Sequence, residues 1–304
     1  MARETFESWI PEEFDSKPIQ ALVQNSVMEQ VAKRVVMATD TKNVARAGGF
    51  SITGVAKGAA YTESTATNDT VTLIAKKIGG IVRIANEDLL DSPVDIVGTK
   101  KIEAARTMAK YFDNATLATS GAQSDPTVPY MSVYKVLRTT NAATSYTADA
   151  NVIRGAVTYA NLSTLLGIYE QSDWFDQSRT FVIASPAFKT ALRGVLDGNQ
   201  RPIFNDDPLQ PTLFGNPVKW TPGARVSSVA TDNPQGNPLL IIGNADLLLK
   251  GDAKLAPNIA STNPGFAMSA ESGFETDETL LKGVMRRGFA VGHEKAFALL
   301  EKTS

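Results

Sequence analysis

The sequence contains no cysteine, and this absence removes several kinds of chemistry at once. Disulfide bonds, thiolate metal sites and cysteine nucleophiles all require that residue. Histidine is almost as scarce, because His293 is the only one in the chain. A catalytic triad would need His293, and the Gly-x-Ser-x-Gly turn that carries the serine in one large class of hydrolases is also missing. We therefore interpret His293 as a packing or solvated residue.

The chain also lacks a strong charge of either sign and a long apolar run. Its 304 residues include 30 Lys and Arg against 32 Asp and Glu. Such a chain does not wrap nucleic acid tightly, although it can line a container of DNA, and its low net charge favours self-association. The longest apolar run, around 239–249, is interrupted by Gly243 and Asp246, which excludes a membrane span. No apolar stretch follows Met1, so we expect no signal peptide and synthesis in a cytoplasm.

Local motifs for cofactor and metal binding are missing as well. Gly49 and Gly54 have the spacing of a phosphate loop, but Val55 follows where that loop requires a lysine. Asn205-Asp206-Asp207 is the best local carboxylate cluster, yet its spacing is that of a turn and not of a calcium loop. We therefore predict no cofactor, no metal site and no catalytic residue. The alternative is an enzyme with a carboxylate pair, since such enzymes leave little local signature.

The residues that are present predict a folded α+β protein with an arm and a long hairpin. Hydrophobic residues make up 43% of the chain and charged residues 20%, which is typical of a globular protein. Residues 1–48 have little periodicity and suggest an extended arm with one short helix within 19–36. Alternating patterns over 51–55 and 71–78 predict two strands of a hairpin, with a small, polar tip at 61–69. Such a ribbon is marginal alone, so we expect it to rest on another surface.

The clearest helix signal follows the hairpin. Ser92 suits the N-cap, Pro93 the first helical position, and Asp95 closes a capping box. The predicted helix spans 93–119, with an apolar stripe through Met108 and Phe112.

Further along the chain, alternation between apolar runs and turn residues predicts smaller elements. These are a helix at 161–169, a buried strand at 180–184 followed by a helix that starts at Ser185-Pro186, a proline-rich loop region at 198–238, a buried strand at 239–242, and strands over 280–300 separated by Gly283, Gly288 and Gly292.

In this order, four stretches resemble the tailed-bacteriophage major capsid protein family with the Hong Kong phage capsid fold. Residues 81–92 resemble the family's S-x-E-L-L-x-D-S entry to its spine helix, with Asn86 in place of the usual Ser. Asp113-Asn114-Ala115 matches the Asp-x-Ala close of that helix, and residues 212–218 are similar to L-x-G-x-P-V. Residues 284–297 resemble the C-terminal R-x-G-x-x-V-x-x-P-x-A-F, where Glu294 or its neighbour replaces the Pro.

The resemblance implies a four-part organisation. The parts are an N-terminal arm at 1–48, an extended β-hairpin loop at 49–82, a peripheral domain at 83–145 and 255–288 with the spine helix at 93–119, and an axial α/β domain at 146–254 and 289–304.

The resemblance also implies a function. A member of this family builds pentamers and hexamers that close into an icosahedral shell around double-stranded DNA, without sequence-specific contacts to it. We expect a separate scaffolding protein, because the arm begins almost at Met1, together with a portal, a location in the virion and, as an open question, a cement protein. The alternative within the same fold is an encapsulin-like nanocompartment shell, which encloses enzymes.

Two groups of residues are our candidates for contacts in the shell. The first lies near the loop tip and is expected to touch a neighbouring subunit; it comprises Tyr61, Thr62, Glu63, Thr65, Asn68 and Asp69. The second comprises charges expected at the lumen or between subunits, namely Lys100, Lys101, Arg106, Lys110, Arg286 and Arg287. Some family members cross-link a lysine near the tip to a neighbour's asparagine, but residues 61–71 contain no lysine, so we expect no cross-links.

Overall fold

The computed structural model describes residues 26–47, 49, 52–61, 63, 69–92, 94–207, 209–255, 264–269 and 276–303. Its helices are α1 Val27–Val31, α2 Asn86–Asp91, α3 Ile96–Leu117, α4 Val133–Leu137, α5 Tyr159–Glu170 and α6 Lys189–Arg193. Its strands are β1 Lys33–Met37, β2 Thr41–Arg46, β3 Asp69–Ile74, β4 Lys76–Ala85, β5 Val152–Gly155, β6 Thr180–Ala184, β7 Phe204–Asn205, β8 Thr212–Leu213, β9 Asn216–Trp220, β10 Leu239–Asn244, β11 Leu248–Ala253, β12 Gly265–Ser269, β13 Glu278–Val291 and β14 Phe297–Lys302. The predicted α+β class is confirmed.

A seven-stranded mixed sheet has the order β5-β14-β10-β6-β9-β8-β7 and is buried on both faces in its centre. Side chains alternate across β6, so Phe181 and Ile183 enter one core while Val182 and Ala184 enter the other. Such two-sided burial explains why β6 and β10 are continuous apolar runs, which the sequence pattern identified correctly.

Each face of this sheet is covered by different elements. On one side, α5 and α6 supply apolar residues such as Leu162, Tyr169 and Leu192. On the other side, α3 and β13 supply Phe112 and Phe289 to a core that also contains α1 and α4 residues. The predicted helix at 161–169 and the helical segment after Ser185-Pro186 are thus both present, the latter as a 3-10 turn, Pro186–Phe188, that leads into α6.

The second sheet is built around the long strand β13. Strands β11 and β12 pair with the two halves of one edge of β13, while β4 pairs with the other edge over ten residues, Lys76 to Ala85. Strand β1 runs parallel to β11 at the border of the sheet.

Strand β13 corrects the prediction that Gly283 and Gly288 separate strands, because it runs through both of them and ends before Gly292. A Cβ at Gly283 would lie 2.7 Å from Cε of Met108, and one at Gly288 would lie 3.1 Å from Sδ of Met37. These glycines therefore permit close packing across the sheet and do not break the strand.

The start of the long helix also differs from the prediction. Helix α3 begins at Ile96, and its N-cap is Asp95, whose carboxylate accepts from the amide of Gly98 at 2.8 Å. Ser92 instead terminates the short helix α2, and Pro93 lies outside the described residues. The capping prediction was wrong because one short helix and its linker precede α3, and a second acceptor was available three residues after Ser92.

The hairpin prediction was partly right for the second strand, 71–78, which overlaps β3 and the start of β4, and it was wrong for the first strand, 51–55. Strand β3 pairs with β2, Thr41–Arg46, and not with 51–55, of which the described residues 52–55 form no strand. The alternating pattern at 51–55 therefore did not indicate a strand. The polar segment 41–46 is a strand because its backbone pairs with β3. In the described part of 19–36, residues 26–36, the predicted helix corresponds to α1, and Val35 belongs to β1.

Candidate assembly surfaces

The hairpin β2–β3, here called the ribbon, leads into a segment that is exposed in the single subunit. Ile52 and Tyr61 are 86% and 89% exposed, and Glu63 is exposed as well. Apolar side chains so fully open to solvent are typical of surfaces that another molecule covers. Three of the tip candidates, Thr62, Thr65 and Asn68, lie outside the described residues.

Asp69, the last of the tip candidates, is engaged within its own chain. Both of its carboxylate oxygens accept from Arg46, and Nε of Arg46 lies 2.6 Å from Oδ1. This hydrogen bonding lowers the pKa of Asp69 and raises the pKa of Arg46. Asp69 therefore fixes the inner end of the tip segment, while Tyr61 and Glu63 are available for contacts outside the chain.

The cationic candidates on α3 lie on the part of the helix that is least buried. Nζ of Lys100 lies 2.8 Å from Oε2 of Glu103, one turn along the helix. Lys101, Arg106 and Lys110 are half-buried. Full burial is confined to Met108 and the residues from Phe112 onward, so the N-terminal half of α3 is the half that can meet another molecule.

Arg286 and Arg287 point in different directions and have different roles. Arg286 is half-buried, pairs with Asp40 and donates to the carbonyl of Lys254 at 3.0 Å. Arg287 is only 3% exposed, and its guanidinium pairs with Glu29 at 2.6 Å and with Asp252 at 2.5 Å. The structure therefore corrects the prediction for Arg287, which is an internal cation that ties α1 to the five-stranded sheet. Adjacent residues on a strand point to opposite faces, but sequence alone could not tell which face of β13 is buried at these two arginines.

A buried carboxylate on α3 connects two other segments of the chain to this helix. Asp113 accepts from Oγ of Ser26, from the amides of Val27 and Met28 at 3.0 and 3.2 Å, and from Oγ1 of Thr221 at 2.8 Å. Burial raises the pKa of Asp113, and these hydrogen bonds oppose the rise. The carboxylate thus anchors the end of the N-terminal arm on α3.

The neighbouring Asn114 is completely buried and has an equivalent role toward the proline-rich region. Its amide nitrogen donates to the carbonyls of Gly223 and Arg225 at 3.1 and 3.0 Å, and its oxygen accepts from the amide of Thr231 at 3.0 Å. The Asp-Asn pair is therefore the point at which α3 holds two long loop regions.

His293 is a packing residue. It is 8% exposed, its ring stacks on Trp174 with 4.6 Å between ring centroids, and Nδ1 accepts from the amide of Lys295 at 3.2 Å. Burial lowers the pKa of His293. The imidazole therefore has a structural environment, and nothing around it forms a triad in the described part of the chain.

Among the described residues, no group of three or more His, Asp or Glu side chains could hold a metal ion. A cavity of about 820 Å³ lies between β4 and α3, and Ile78, Val82, Met108 and Tyr111 are among its lining residues. Its walls are mainly apolar, and two acidic residues that line it, Glu103 and Asp125, are paired with Lys100 and Lys76. No helix in the described ranges is long and apolar enough to cross a membrane.

The fold resembles those of solved phage and particle structures along nearly its whole length. A chain of Mycobacterium phage Bobi is 14% identical with a TM-score of 0.73, and the alignment covers 98% of this chain and 97% of that one. A chain of Mycobacterium phage Adephagia is 14% identical with a TM-score of 0.72 over 98% and 96% of the two chains. A chain of the structure named "Capsid of native GTA particle computed with C5 symmetry" is 13% identical, with a TM-score of 0.70 over 98% and 97%.

At these identities, the structural likeness establishes the fold alone. No curated protein matches the sequence significantly. The sequence model of the phage capsid family matches residues 8–302, nearly the whole chain, and this chain therefore belongs to that family. It is a capsid shell protein and a component of the virion, as the motif resemblance predicted.

Proposed function

We propose that this chain is the major capsid protein of a tailed bacteriophage and assembles into pentamers and hexamers that close an icosahedral shell around double-stranded DNA. The single observation that carries the proposal is the segment beyond the ribbon, whose exposed Ile52 and Tyr61 offer apolar surface that a neighbouring copy would cover. Repeated head-to-tail contacts close into rings when the rotation between copies closes. The near-neutral net charge of −2 is compatible with a shell that holds DNA without specific contacts.

We further propose the division into arm, extended loop, peripheral domain and axial domain at the boundaries given above. The seven-stranded sheet supports this division, because it lies within 146–254 and 289–304. Two strands differ from it: the first strand of the ribbon, Thr41–Arg46, lies before residue 49, and β11 lies within 146–254 but belongs to the five-stranded sheet. A core shared by α3, β13 and the seven-stranded sheet holds the two proposed domains together.

The partners proposed from the family are a separate scaffolding protein, a portal and a cement protein. We propose that assembly takes place in the cytoplasm of the bacterial host and that the protein has no enzymatic activity. Of the charges named above, Lys100, Lys101, Arg106, Lys110 and Arg286 stay candidates for contacts with neighbours or the lumen.

Assembly is tested by expressing the chain alone and with its scaffolding protein, followed by sizing and negative-stain microscopy. We expect capsomers or shells. A matched variant replaces residues 47–68 with an Asn-Gly turn, which suits the register because Arg46 and Asp69 are directly paired. This variant should keep its circular dichroism spectrum and remain unassembled.

The contents of particles from infected cells separate the phage capsid from the nanocompartment. Nuclease-protected double-stranded DNA supports the proposal, and an enclosed enzyme without DNA supports the alternative. A full-length chain that stays monomeric in every condition contradicts the assembly proposal itself.

A further inference from the structure

The outer end of the ribbon is tied to the body of the subunit by Arg46, the last residue of β2. Its Nε and Nη2 donate to the carboxylate of Asp69, the first residue of β3. Its Nη1 donates to the carbonyl of Gly292 at 3.0 Å and lies 3.8 Å from Oε2 of Glu294. One guanidinium thus connects both ribbon strands to the turn between β13 and β14.

Glu294 makes this connection energetically important because its carboxylate is 7% exposed. Its Oε1 accepts from Nδ2 of Asn141 at 2.7 Å, whereas Oε2 accepts no hydrogen bond in the described part of the chain. Arg46 is the only cation in the described ranges that pairs with Glu294. A buried charge that loses its partner is strongly destabilising, so Arg46 and Glu294 hold each other in place.

The contact beneath the outer end of the ribbon is not closely packed. A cavity of about 260 Å³ lies there, and its lining includes polar residues such as Arg46, Thr70 and Glu294 beside apolar ones such as Val71 and Phe289. Because this space is open, the ribbon gains less apolar burial at this end than close packing would give, so the ion pairs and hydrogen bonds of Arg46 contribute more to its position.

The inner end of the ribbon is held by a different force. Leu73 on β3 is completely buried in a small apolar cluster with Met37, Leu249 and Ala253. Leu73 lies four positions after Asp69 on β3, which corresponds to roughly 13 Å along a strand. The ribbon therefore has an apolar anchor at its base and a polar contact at its outer end.

We propose that Arg46 is a positioning residue, a clasp that sets the angle of the ribbon, and that the ribbon swings about Leu73 once the clasp is removed. On the body side, Arg46 donates to the carbonyl of Gly292 and forms an ion pair with Glu294. This explains why an acidic residue stands at or beside the place where the resembling family motif has proline. The inference concerns the single subunit and does not depend on how, or whether, the chain assembles.

Hydrogen exchange on the unassembled subunit tests the clasp. Arg46→Met keeps the apolar stem and removes the guanidinium, so exchange should accelerate at least tenfold at the outer ends of β2 and β3. The seven-stranded sheet should keep its protection. Glu294→Gln keeps the bond to Asn141 and should accelerate the same segments by a smaller factor. The matched control is Arg83→Met, which removes an exposed pair with Glu278 and should change neither region.

A distance measurement tests the swing itself. The chain has no cysteine, so Lys57→Cys on the segment beyond the ribbon and Gln171→Cys after α5 can carry a unique pair of spin labels. Pulsed electron resonance should give a broader distance distribution in Arg46→Met than in the wild type or in Arg83→Met. Unchanged exchange and an unchanged distribution overturn the proposal, and so does faster exchange throughout both sheets, which would make Arg46 a general stability residue.

Discussion

Asp113 is the residue whose loss should affect the largest number of segments. Its carboxylate accepts four hydrogen bonds, three from residues 26–28 and one from Thr221, and so connects two separate parts of the chain to α3. Because each buried donor left unsatisfied costs about 1–3 kcal/mol, Asp113→Ala should lower the free energy of unfolding by roughly 3 kcal/mol or more. Asp113→Asn keeps an acceptor and should lose less. Urea unfolding followed by circular dichroism measures both, and equal stability of wild type and Asp113→Ala would contradict the anchoring role.

The same residue gives a pH dependence with a defined sign. Since burial raises the pKa of Asp113 above its ordinary value of 3.8, the folded state binds the proton more tightly than the unfolded state. The contribution of this group to stability is therefore largest at low pH and falls as pH rises from about 3.8 through the raised pKa. Asp113→Asn does not titrate, so the stability of the wild type relative to this variant should decrease over that interval. The opposite slope would show that the hydrogen bonds outweigh burial.

Gly243 on β10 shows how closely the seven-stranded sheet is packed. An added Cβ would meet the ring of Phe297 and would lie 2.8 Å from the carbonyl oxygen of Ala296. Gly243→Ala should therefore lower the free energy of unfolding by about 1–3 kcal/mol, because overpacking displaces its neighbours. Gly80 on β4 is the matched control, since a Cβ there meets nothing within 4 Å. Similar effects of the two alanine substitutions would contradict this account.

At the scale of elements, the cap of α3 allows the corrected helix start to be tested. Asp95→Ala removes the side chain that accepts from the amide of Gly98 and should cost about 1 kcal/mol. Ser92→Ala should cost less, because the hydroxyl of Ser92 forms its hydrogen bonds with the backbone of Val94, in the linker between α2 and α3. Thermal unfolding of the two variants distinguishes the alternatives, and a larger effect at Ser92 would restore the cap that the sequence first suggested.

The elements that the sequence predicted well were those with a clear apolar pattern. Strands β6 and β10 and helix α5 have apolar patterns that their packing requires, so a local pattern was sufficient. Strand β2 is polar and owes its existence to its pairing with β3, which no local pattern records. Strand β13 passes through Gly283 and Gly288, where the side chains of Met108 and Met37 leave little room for a Cβ. Both methionines are far from these glycines in the sequence.

The roles of the candidate residues could likewise be predicted where they depend on local composition, and not where they depend on tertiary contacts. Exposure of the tip at Tyr61 followed from a small, polar context, and composition alone predicted it. The separate roles of Arg286 and Arg287 depend on which face of β13 is buried, and on acidic partners at Asp40, Glu29 and Asp252. Tertiary ion pairs of this kind leave no local signature, so Arg46 and Asp113 were found only from the structure.

At the scale of the whole molecule, one apolar core joins elements from several parts of the chain. It combines α1, α3, β13 and one face of the seven-stranded sheet. The ribbon contacts this body through the apolar cluster at Leu73 and the polar contacts of Arg46. These contacts connect the ribbon to the five-stranded sheet and to the turn between β13 and β14.

Mature shells of this protein should contain no Lys–Asn cross-links between subunits. That reaction needs an unprotonated lysine amine close to a neighbour's asparagine and a base. Residues 61–71 contain no lysine, Lys57 is exposed, and Lys76 is held by Asp125 of its own chain. On the accepting side, Asn86 is already bound, since its amide nitrogen donates to Asp277 at 2.6 Å and its oxygen accepts from Thr279.

Non-covalent contacts, or a cement protein, must then hold the mature shell. Mature particles boiled in denaturant should run on a gel as one band near the 32.5 kDa of the monomer. Particles of the Lys57→Arg variant serve as the control, because arginine keeps the charge and does not form the isopeptide bond. A ladder of covalent multimers that disappears in Lys57→Arg would show that Lys57 reaches a neighbouring asparagine. A ladder in both would locate the reactive lysine elsewhere, and either ladder would contradict this prediction without affecting the membership of the chain in the capsid family.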